Sequence, residues 1–300
     1  MSDVVVVEHL TKSYGKRRGV IDLSFTITAG EVFGYLGPNG AGKTTTIRTL
    51  MDFLRPTTGR VSVFELDSRA GAIEIHRRTG YLPGEFGLYE RFTAFDYLMF
   101  LASLRGGIAR ARIQTLAGRL GLDLSVRMHA LSHGNKQKVG LVQAFMHEPE
   151  LMILDEPTQG LDPLVQQEFY ALLHEARDAG RTVLLSSHVM PEVERVCDRV
   201  GIIRDGRLAA IEDIGELKAK AFRMLEVRLA QPVPASEYGT IPGVRDMVVT
   251  GNHVRFTVTG PLDPVIKALA RFEVEDLVSH EPSLEDVFLA FYGRDESDAA

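Results

Sequence analysis

The segment GPNGAGKT, Gly37 to Thr44, constrains the fold of this chain more than any other stretch. It matches the pattern G-x-x-x-x-G-K-[ST], follows the apolar run EVFGYL and precedes TTIRTLMDFL, which has the composition of a helix. In a strand, loop and helix of this kind, glycines let successive backbone N–H groups converge on phosphate oxygens, and the helix N-terminus adds its positive dipole. The segment therefore predicts a phosphate-binding loop inside an α/β domain. A chance match in a glycine-rich turn would lack the flanking strand and helix.

This loop predicts nucleotide binding. Lys43 supplies a point charge for the β- and γ-phosphates, and Thr44 offers a hydroxyl ligand to Mg²⁺. The other predicted nucleotide contacts in the loop are Gly37, Asn39, Gly40, Ala41, Gly42 and Thr45.

The first ~215 residues alternate short β-branched runs with longer helical patterns, which predicts an α/β domain with a largely parallel sheet. Residues from about 90 to 148 form a helical insertion, in which Thr93 and Ser132 begin helices. The first helix runs through Leu104, and the second ends before Pro149. The predicted strands include Val4 to Val7, Val32 to Leu36, Leu151 to Leu154, Thr182 to Ser186 and Val200 to Ile203.

The pattern of apolar and polar residues changes after about residue 220, where alternating apolar residues and a Gly251-Asn252 turn predict strands. A short helix over Asp263 to Ala270 and a last helix from Ser283 to Gly293 follow. The predicted domains are therefore residues 1–220, a small α+β domain over 221–293 and a disordered tail at 294–300.

The segment LMILDEP, Leu151 to Pro157, places two carboxylates after a buried strand, at the sheet edge where ligands of open α/β sheets bind. Beside a phosphate-binding loop, Asp155 is placed to hold Mg²⁺ and Glu156 to polarise a water toward the γ-phosphate. Taken alone, such an acidic pair is more often a turn or a helix start.

Two further residues stay ambiguous on spacing alone. His188, in LLSSHVMPEVE, follows a strand and precedes a helix opened by Pro191, where an isolated histidine is more often structural than catalytic. Tyr14, 23 residues before Gly37, has a ring able to stack on an adenine or to pack at a strand edge.

Composition and charge limit the binding partners and the cellular setting that the sequence predicts for this chain. A net charge of -6 and a pI near 5.9 argue against nucleic acid as a partner, because its binding needs a concentrated basic footprint. The single Cys197 excludes an internal disulfide and predicts a small buried apolar side chain in a reducing, cytoplasmic setting. The N-terminus lacks the pattern of a secretory signal, and no apolar run approaches the roughly 18 residues of a membrane span.

Taken in order, GPNGAGKT, LSHGN, LMILDEP, QGLD and SSH resemble the nucleotide-binding subunit of an ATP-binding cassette (ABC) transporter over nearly all of residues 4–220. The resemblance implies a P-loop NTPase cassette that binds and hydrolyses ATP with Mg²⁺. It also implies that LSHGN is a signature segment, which binds the γ-phosphate of a second copy's ATP in a head-to-tail dimer.

The resemblance assigns roles to single residues. It makes Tyr14 the adenine-stacking residue, Glu156 the general base, His188 the sensor of γ-phosphate and Asp162 part of the loop between the two sites. In the signature segment the binding residues would be Ser132, Gly134 and Asn135. Elementary chemistry agrees, since Ser132 offers a hydroxyl and Gly134 leaves backbone N–H groups accessible, although plain helix capping by Ser132 fits the same pattern.

The chain departs from the family pattern at three positions. His133 and Asn135 stand where the family usually has glycine and glutamine, and the resemblance therefore implies altered contacts to ribose and to the opposite face. Gly84 stands where the family has glutamine, or sometimes glutamate, in a loop that touches the Mg²⁺ water and couples to the membrane partner; either Glu85 takes over this role or the role is weakened.

Three segments, GYLPGEFGLY, LSHGNKQKV and EPSLEDVFLAFYG, are similar to the drug- and antibiotic-export branch of bacterial ABC-2 type transporters. This implies an ATPase that powers efflux by a separate transmembrane permease subunit, at the cytoplasmic face of the plasma membrane. Two other functions stay open at this point. One is a soluble cassette ATPase in DNA repair or translation, and the other is a regulatory subunit in which ATP binds without productive turnover.

Overall fold

The computed structural model describes residues 2–15, 17–84, 91–220, 223–238, 241–258 and 260–280. They belong to two compact units, divided between Asp213 and Ile214. The predicted boundary at residue 220 would instead assign the helix Ile214–Lys220 to the first unit. Glu85, the predicted helix from Ser283 to Gly293 and the predicted tail lie outside the described residues.

The first unit contains the following strands and helices in chain order: β1 (Asp3–Tyr14), β2 (Arg17–Thr28), β3 (Val32–Leu36), α1 (Lys43–Leu50), β4 (Thr58–Val63), β5 (Leu66–Asp67), α2 (Ala72–Arg78), β6 (Thr79–Leu82), α3 (Ala94–Leu104), α4 (Arg110–Arg119), α5 (His133–Phe145), β7 (Leu151–Asp155), α6 (Pro163–Asp178), β8 (Thr182–Ser187), α7 (Met190–Val196), β9 (Arg199–Arg204) and β10 (Arg207–Asp213).

Six of these strands form one sheet in the order β10-β9-β3-β8-β7-β6. All neighbours are parallel except β9 and β10. Every residue of β3, β7 and β8 is buried, as expected for parallel strands covered on both faces. The structure confirms the four strands that were predicted for this sheet, each to within one residue.

The register of this sheet brings several loops to one edge. Leu36 pairs with Ser187, Asp155 with Ser186 and Leu82 with Leu154. The carboxyl ends of β3, β8, β7 and β6 are therefore level, and the segments that follow them meet at the same edge, where ligands of open α/β sheets bind.

A second, antiparallel sheet in the order β2-β1-β4-β5 packs on the first. Phe25 of β2 stacks on Phe33 and Tyr35 of β3, with ring centroids 5.7 and 5.5 Å apart. The strand predicted over Val4 to Val7 extends from Asp3 to Tyr14, because pairing with β2 continues to Tyr14 and Arg17, beyond the apolar run.

The predicted helical insertion contains α3, α4 and α5. The Thr93 hydroxyl accepts a hydrogen bond from the Asp96 N–H at 3.1 Å and begins α3, which ends at Leu104 as predicted. Ser132 is the N-cap of α5, also as predicted. Within the part of the chain that the structure describes, no helix has the length and apolarity to cross a membrane.

The second unit contains α8 (Ile214–Lys220), β11 (Arg223–Leu229), β12 (Val244–Thr250), β13 (His253–Val258), α9 (Asp263–Leu269) and β14 (Val274–His280). Its antiparallel sheet has the order β12-β13-β11-β14. Val265 and Leu269 of α9 pack against a cluster that includes Leu225 and Phe256. The predicted strands, the turn at Gly251-Asn252 and the helix at Asp263 are confirmed.

Candidate active site

The phosphate-binding loop requires glycine at two positions. Gly42, the N-cap of α1, has φ 114°, and a Cβ there would lie 2.6 Å from Cγ1 of Val20. A Cβ at Gly37 would lie 2.3 Å from the carbonyl oxygen of Ile203. The loop therefore folds tightly against β9 and β2, and only residues without a side chain permit this approach.

Lys43 holds the centre of the loop. Its side chain is 6% exposed, and Nζ donates to the Gly37 carbonyl at 2.5 Å and lies 3.0 Å from Oε1 of Glu156. A buried ammonium needs such partners to offset its lost hydration. The loop cation and the second carboxylate of LMILDEP thus share one site.

Thr44 and Asp155 form a second contact between the same segments. The Thr44 hydroxyl donates to Oδ2 of Asp155 at 2.8 Å, and the Ser186 hydroxyl donates to Oδ1. Asp155 is buried, so both carboxylate oxygens are held in place by hydroxyl groups. A hydroxyl and a carboxylate at this separation supply the oxygen ligands that Mg²⁺ prefers.

Glu156 turns sharply at the end of β7. Its φ is 51°, an unfavourable region for a residue with a side chain. Its N–H donates to both the carbonyl and the hydroxyl of Ser186 at 3.2 Å. These bonds fix the turn, and the carboxylate, 18% exposed, reaches Lys43 through Oε1.

His188 lies on the other side of the same carboxylate. Its Nδ1 is 2.8 Å from Oε2 of Glu156, so the ring N–H donates a hydrogen bond to the carboxylate at this contact. The structure therefore brings Lys43, Asp155, Glu156 and His188 together, although up to 145 residues separate them in the chain.

A pocket of about 320 Å³ opens between the loop and Glu156. It is lined by Gly19, Pro38, Asn39, Gly40, Gly42, Lys43, Thr44, Thr45 and Glu156. Two of the predicted nucleotide contacts lie beneath this surface: the Gly37 N–H donates to the Ser187 carbonyl at 3.2 Å, and the Ala41 N–H to the Pro38 carbonyl at 3.1 Å. Because these N–H groups already have hydrogen-bond partners within the protein, Gly37 and Ala41 determine the shape of the loop and do not offer their N–H groups to a phosphate.

Tyr14 stands at the margin of the pocket. Its side chain is 42% exposed at the end of β1, and Nζ of Lys12 lies 5.4 Å from the ring centroid. A Cβ at Gly19, which lines the pocket, would lie 3.5 Å from Cδ2 of Tyr14. The ring is thus accessible beside the pocket.

The LSHGN segment lies away from this pocket, against the QGLD segment. A Cβ at Gly134 would lie 2.3 Å from the Gly160 carbonyl oxygen, so the two backbones touch. Ser132 accepts the Asn135 N–H at 3.3 Å. Asp162 caps α6 by accepting the Val165 N–H at 3.1 Å. Ser132 and Asp162 therefore both act as helix caps.

Gly84 follows β6 and lies beside the carboxylate of Asp155. A Cβ at this position would lie 3.4 Å from Oδ2, the oxygen that accepts from Thr44. A side chain at this position would therefore begin in van der Waals contact with the buried Asp155 carboxylate. Tyr81, in β6, also interacts with Asp155. Burial and, to a smaller extent, the charge of Asp155 raise the pKa of Tyr81 to about 12, which keeps the Tyr81 hydroxyl protonated.

Sequence reasoning missed three polar residues behind the site. Ser186 holds Asp155 and the turn at Glu156, Gln137 donates to the backbone after β7, and Glu192 accepts from hydroxyls on two loops. Each of the three is a polar residue at a position where the periodicity of its helix or strand predicts burial. This mismatch is the sequence signal that could have identified them. Cys197 is buried, as predicted, and burial raises the pKa of its thiol.

Comparison with known proteins agrees with this geometry. The family model described as ABC transporter matches residues 20–159. The bacitracin transport ATP-binding protein of Bacillus licheniformis is 36% identical over 233 residues, which cover 77% of this chain and 76% of that protein. The fluoroquinolones export ATP-binding protein of Mycobacterium tuberculosis is 32% identical over 305 residues, which cover 98% and 94%.

Among solved structures, an ATP-binding subunit of an ABC transporter superposes with a TM-score of 0.66 at 32% identity and covers 72% of this chain and 92% of its own. The sequence motifs, the parallel sheet and the shared site at its edge all lead to the same assignment. The chain belongs to the ABC transporter family, as an ATP-binding ATPase component.

Proposed function

We propose that this chain is the ATP-hydrolysing subunit of a bacterial ABC exporter. A separate transmembrane permease subunit would move the exported compound across the membrane. This chain would bind that permease subunit at the cytoplasmic face of the plasma membrane. The names of the two relatives support this, since one is a bacitracin transport protein and the other a fluoroquinolones export protein. The exported compound is by this reasoning a drug, an antibiotic or another amphipathic molecule.

The observation that carries the proposal is the meeting of Lys43, Asp155, Glu156 and His188 at one edge of the sheet. Phosphoryl transfer needs positioning and charge stabilisation more than covalent chemistry, and these four side chains supply both. The loop N–H groups that would bind the ATP phosphates are those of Asn39, Gly40, Gly42, Lys43, Thr44 and Thr45. Tyr14 would stack on the adenine.

Thr44 and Asp155 would hold Mg²⁺, since their oxygens already lie 2.8 Å apart at the end of β7. The ion prefers to keep several waters, so two protein ligands suffice. When bound, it neutralises charge on the β- and γ-phosphates.

Glu156 would act as the general base. Its carboxylate reaches into the pocket, where it is positioned to accept a proton from an attacking water. His188 donates to Oε2 of Glu156, which orients that carboxylate. The His188 ring would contact the γ-phosphate. Lys43 would move its charge from Glu156 to the phosphates once ATP is bound.

The signature segment would complete the site of a second copy. Ser132, Gly134 and Asn135 lie at the start of α5, where Gly134 touches Gly160, and none of the three lines the pocket beside Lys43. A helix N-terminus with a hydroxyl favours an anion. Two copies would therefore bind head to tail around two ATP molecules, with Asp162 in the segment between the sites.

The catalytic assignment is tested by ATP hydrolysis and ATP binding in the purified protein. Removing a general base commonly costs 10²- to 10⁴-fold, so Glu156→Gln should lower kcat at least about 100-fold and leave ATP bound. Glu150→Gln, at the opposite edge of the sheet, serves as the matched control. Near-normal hydrolysis by the Glu156 variant would refute the role of the base, and inactive wild-type protein would favour a regulatory subunit.

The exporter assignment needs a second experiment. Tagged protein is expressed in a related bacterium, membranes are solubilised in mild detergent with ATP, and the co-purifying proteins are identified. We expect a polytopic membrane protein in near-equal amount that also stimulates hydrolysis. Recovery with ribosomes or nucleic acid would instead point to DNA repair or translation.

A further inference from the structure

A buried carboxylate behind the active site takes part in none of the proposed steps. Glu192 lies in the first turn of α7, and its side chain is 8% exposed. The Thr158 hydroxyl donates to its Oε1, and the Ser187 hydroxyl donates to its Oε2 at 2.7 Å. We refer to Glu192, Thr158 and Ser187 as the Glu192 bracket.

The two donors of the bracket come from the two segments that carry the catalytic pair. Thr158 lies two residues after Glu156, and Ser187 immediately precedes His188. One carboxylate thus ties the turn after β7 to the last residue of β8, which directly precedes His188. These are the segments across which Nδ1 of His188 reaches Oε2 of Glu156 at 2.8 Å.

The bracket also reaches the phosphate-binding loop through Ser187. The hydroxyl of Ser187 accepts the Val189 N–H at 3.0 Å, which fixes the backbone on both sides of His188. Its carbonyl accepts the Gly37 N–H at 3.2 Å. Ser187 therefore has a defined position relative to both the base and the loop.

Burying a carboxylate is costly unless hydrogen bonds satisfy it, and bonds to an ionised acceptor are stronger than neutral ones. Glu192 meets this condition with two hydroxyl donors from different loops. Aliphatic residues at these three positions would fill the same space without fixing the direction of any bond. The bracket therefore supplies an orientation that apolar packing would not.

We propose that Glu192 is a positioning residue for ATP hydrolysis, which holds the Glu156 turn and the His188 loop in register. It does not touch the nucleotide. This inference rests on the roles proposed above for Glu156 and His188. Loss of the bracket should therefore slow the chemical step and leave the binding of ATP nearly unchanged.

The test uses isosteric changes in the full-length protein. Thr158→Val removes one hydroxyl with little change of shape, whereas Thr158→Ser retains it. Glu192→Gln removes the charge, and Glu194→Gln removes the same charge from the same helix as the control. For each variant, kcat and KM for ATP are measured, together with binding of a fluorescent ATP analogue and the thermal unfolding midpoint.

We expect Thr158→Val and Glu192→Gln each to lower kcat about tenfold and to change KM less than about twofold, because misplaced catalytic groups slow chemistry more than binding. Thr158→Ser and Glu194→Gln should stay near wild type. The double variant Thr158→Val/Glu192→Gln should be no slower than the worse single variant, since both remove the same bracket.

Three results would overturn the proposal. The first is an unchanged kcat with only a lower unfolding midpoint, and the second is a rise in KM as large as the fall in kcat. The third is a fall in kcat in the double variant that equals the product of the two single falls. If Glu192→Gln does not fold, the Thr158→Val and Thr158→Ser pair decides. Glu156→Gln is measured alongside. If the Glu156 variant hydrolyses ATP normally, the proposed general base is wrong. If the Glu156 variant is inactive but the Thr158→Val and Glu192→Gln variants have normal kcat, only the positioning role of Glu192 is refuted.

Discussion

The side-chain nitrogen of Gln137 lies 3.0 Å from the carbonyl oxygen of Glu156 and donates to it. It also donates to the Pro157 carbonyl at 3.1 Å. Gln137 is in the second turn of α5, the helix that Ser132 begins, so one buried amide joins the signature helix to the turn of the base. A change at one of these places is therefore transmitted to the other through a direct contact.

This contact gives a first prediction. Gln137→Leu fills the same space but removes the donor to the Pro157 carbonyl and leaves the Glu156 carbonyl only the Gln159 N–H at 3.3 Å, which should lower the free energy of unfolding by about 1–3 kcal/mol. Hydrolysis should fall as well, because the Glu156 turn loses its anchor. Urea unfolding and phosphate release measure the two effects. Gln114→Leu, on an exposed position of α4, should change stability by less than about 0.5 kcal/mol.

A second prediction concerns the contact between the signature and QGLD segments. A methyl group at Gly134 would lie 2.3 Å from the Gly160 carbonyl, so Gly134→Ala should push the segments apart and cost about 1–3 kcal/mol of stability. Gly118 in α4 has no atom within 4 Å of its Cβ position. Gly118→Ala should therefore be neutral or stabilise by up to about 1 kcal/mol through helix propensity.

Thermal unfolding compares these two alanine variants. ATP hydrolysis as a function of protein concentration adds a second measure, because a displaced signature segment should weaken the head-to-tail dimer. Equal stability of both variants would contradict the close approach seen at Gly134.

A third prediction concerns the metal. Excess EDTA should abolish hydrolysis while a fluorescent ATP analogue still binds, since the loop N–H groups and Lys43 do not depend on the ion. Asp155→Asn should raise the Mg²⁺ concentration for half-maximal activity by about tenfold or more, which is 1.4 kcal/mol of lost affinity. Asp162→Asn keeps the capping oxygen of α6 and serves as the control, and an equal shift in both variants would argue against Asp155 as the ligand.

A fourth prediction concerns acid stability. Burial and, less strongly, the charge of Arg105 lower the pKa of His147 to about 4, and its Nε2 donates to the Thr79 carbonyl at 3.2 Å. Below an unfolded pKa near 6.5 the unfolded chain binds a proton that the native protein does not. Stability should therefore fall as the pH drops from about 6.5 toward 4.

The expected contribution of His147 is about 1–2 kcal/mol between pH 7 and pH 5, because solvent around a partly buried ring reduces the effect. Urea unfolding at both pH values measures it. His147→Gln offers an N–H to Thr79 but does not titrate over this range, so its stability should depend less on pH. An unchanged dependence would show that other groups cause it.

Local patterns were sufficient to predict much of the fold. The run LMILD is apolar up to its final aspartate and became the buried strand β7, and Thr93 and Ser132 began helices because capping depends on residues within one turn. The full length of β1 was not predictable in this way. Its outer half, up to Tyr14, contains Lys12 and Ser13 and is a strand because β2 pairs with it.

The same distinction holds for the site. Lys43, Thr44, Asp155 and Glu156 lie in motifs whose spacing predicts their chemistry. Ser186 and Ser187 read as ordinary polar residues at the end of a strand, and Glu192 as a solvated acid in the first turn of a helix. Their partners lie 5 to 34 residues away in the chain.

The sequence by itself determined that this chain has a phosphate-binding loop, a carboxylate pair after a buried strand and an ABC cassette order of motifs, because each depends on the spacing of neighbouring residues. Only the tertiary structure decided that Lys43 and His188 contact the two oxygens of the Glu156 carboxylate, and that Glu192 ties the turn after Glu156 to the segment that carries His188. The physical reason is the register of the parallel sheet, which places the ends of β3, β7 and β8 level with one another. The contacts between those ends therefore require β3, β8 and β7 to be paired in this register.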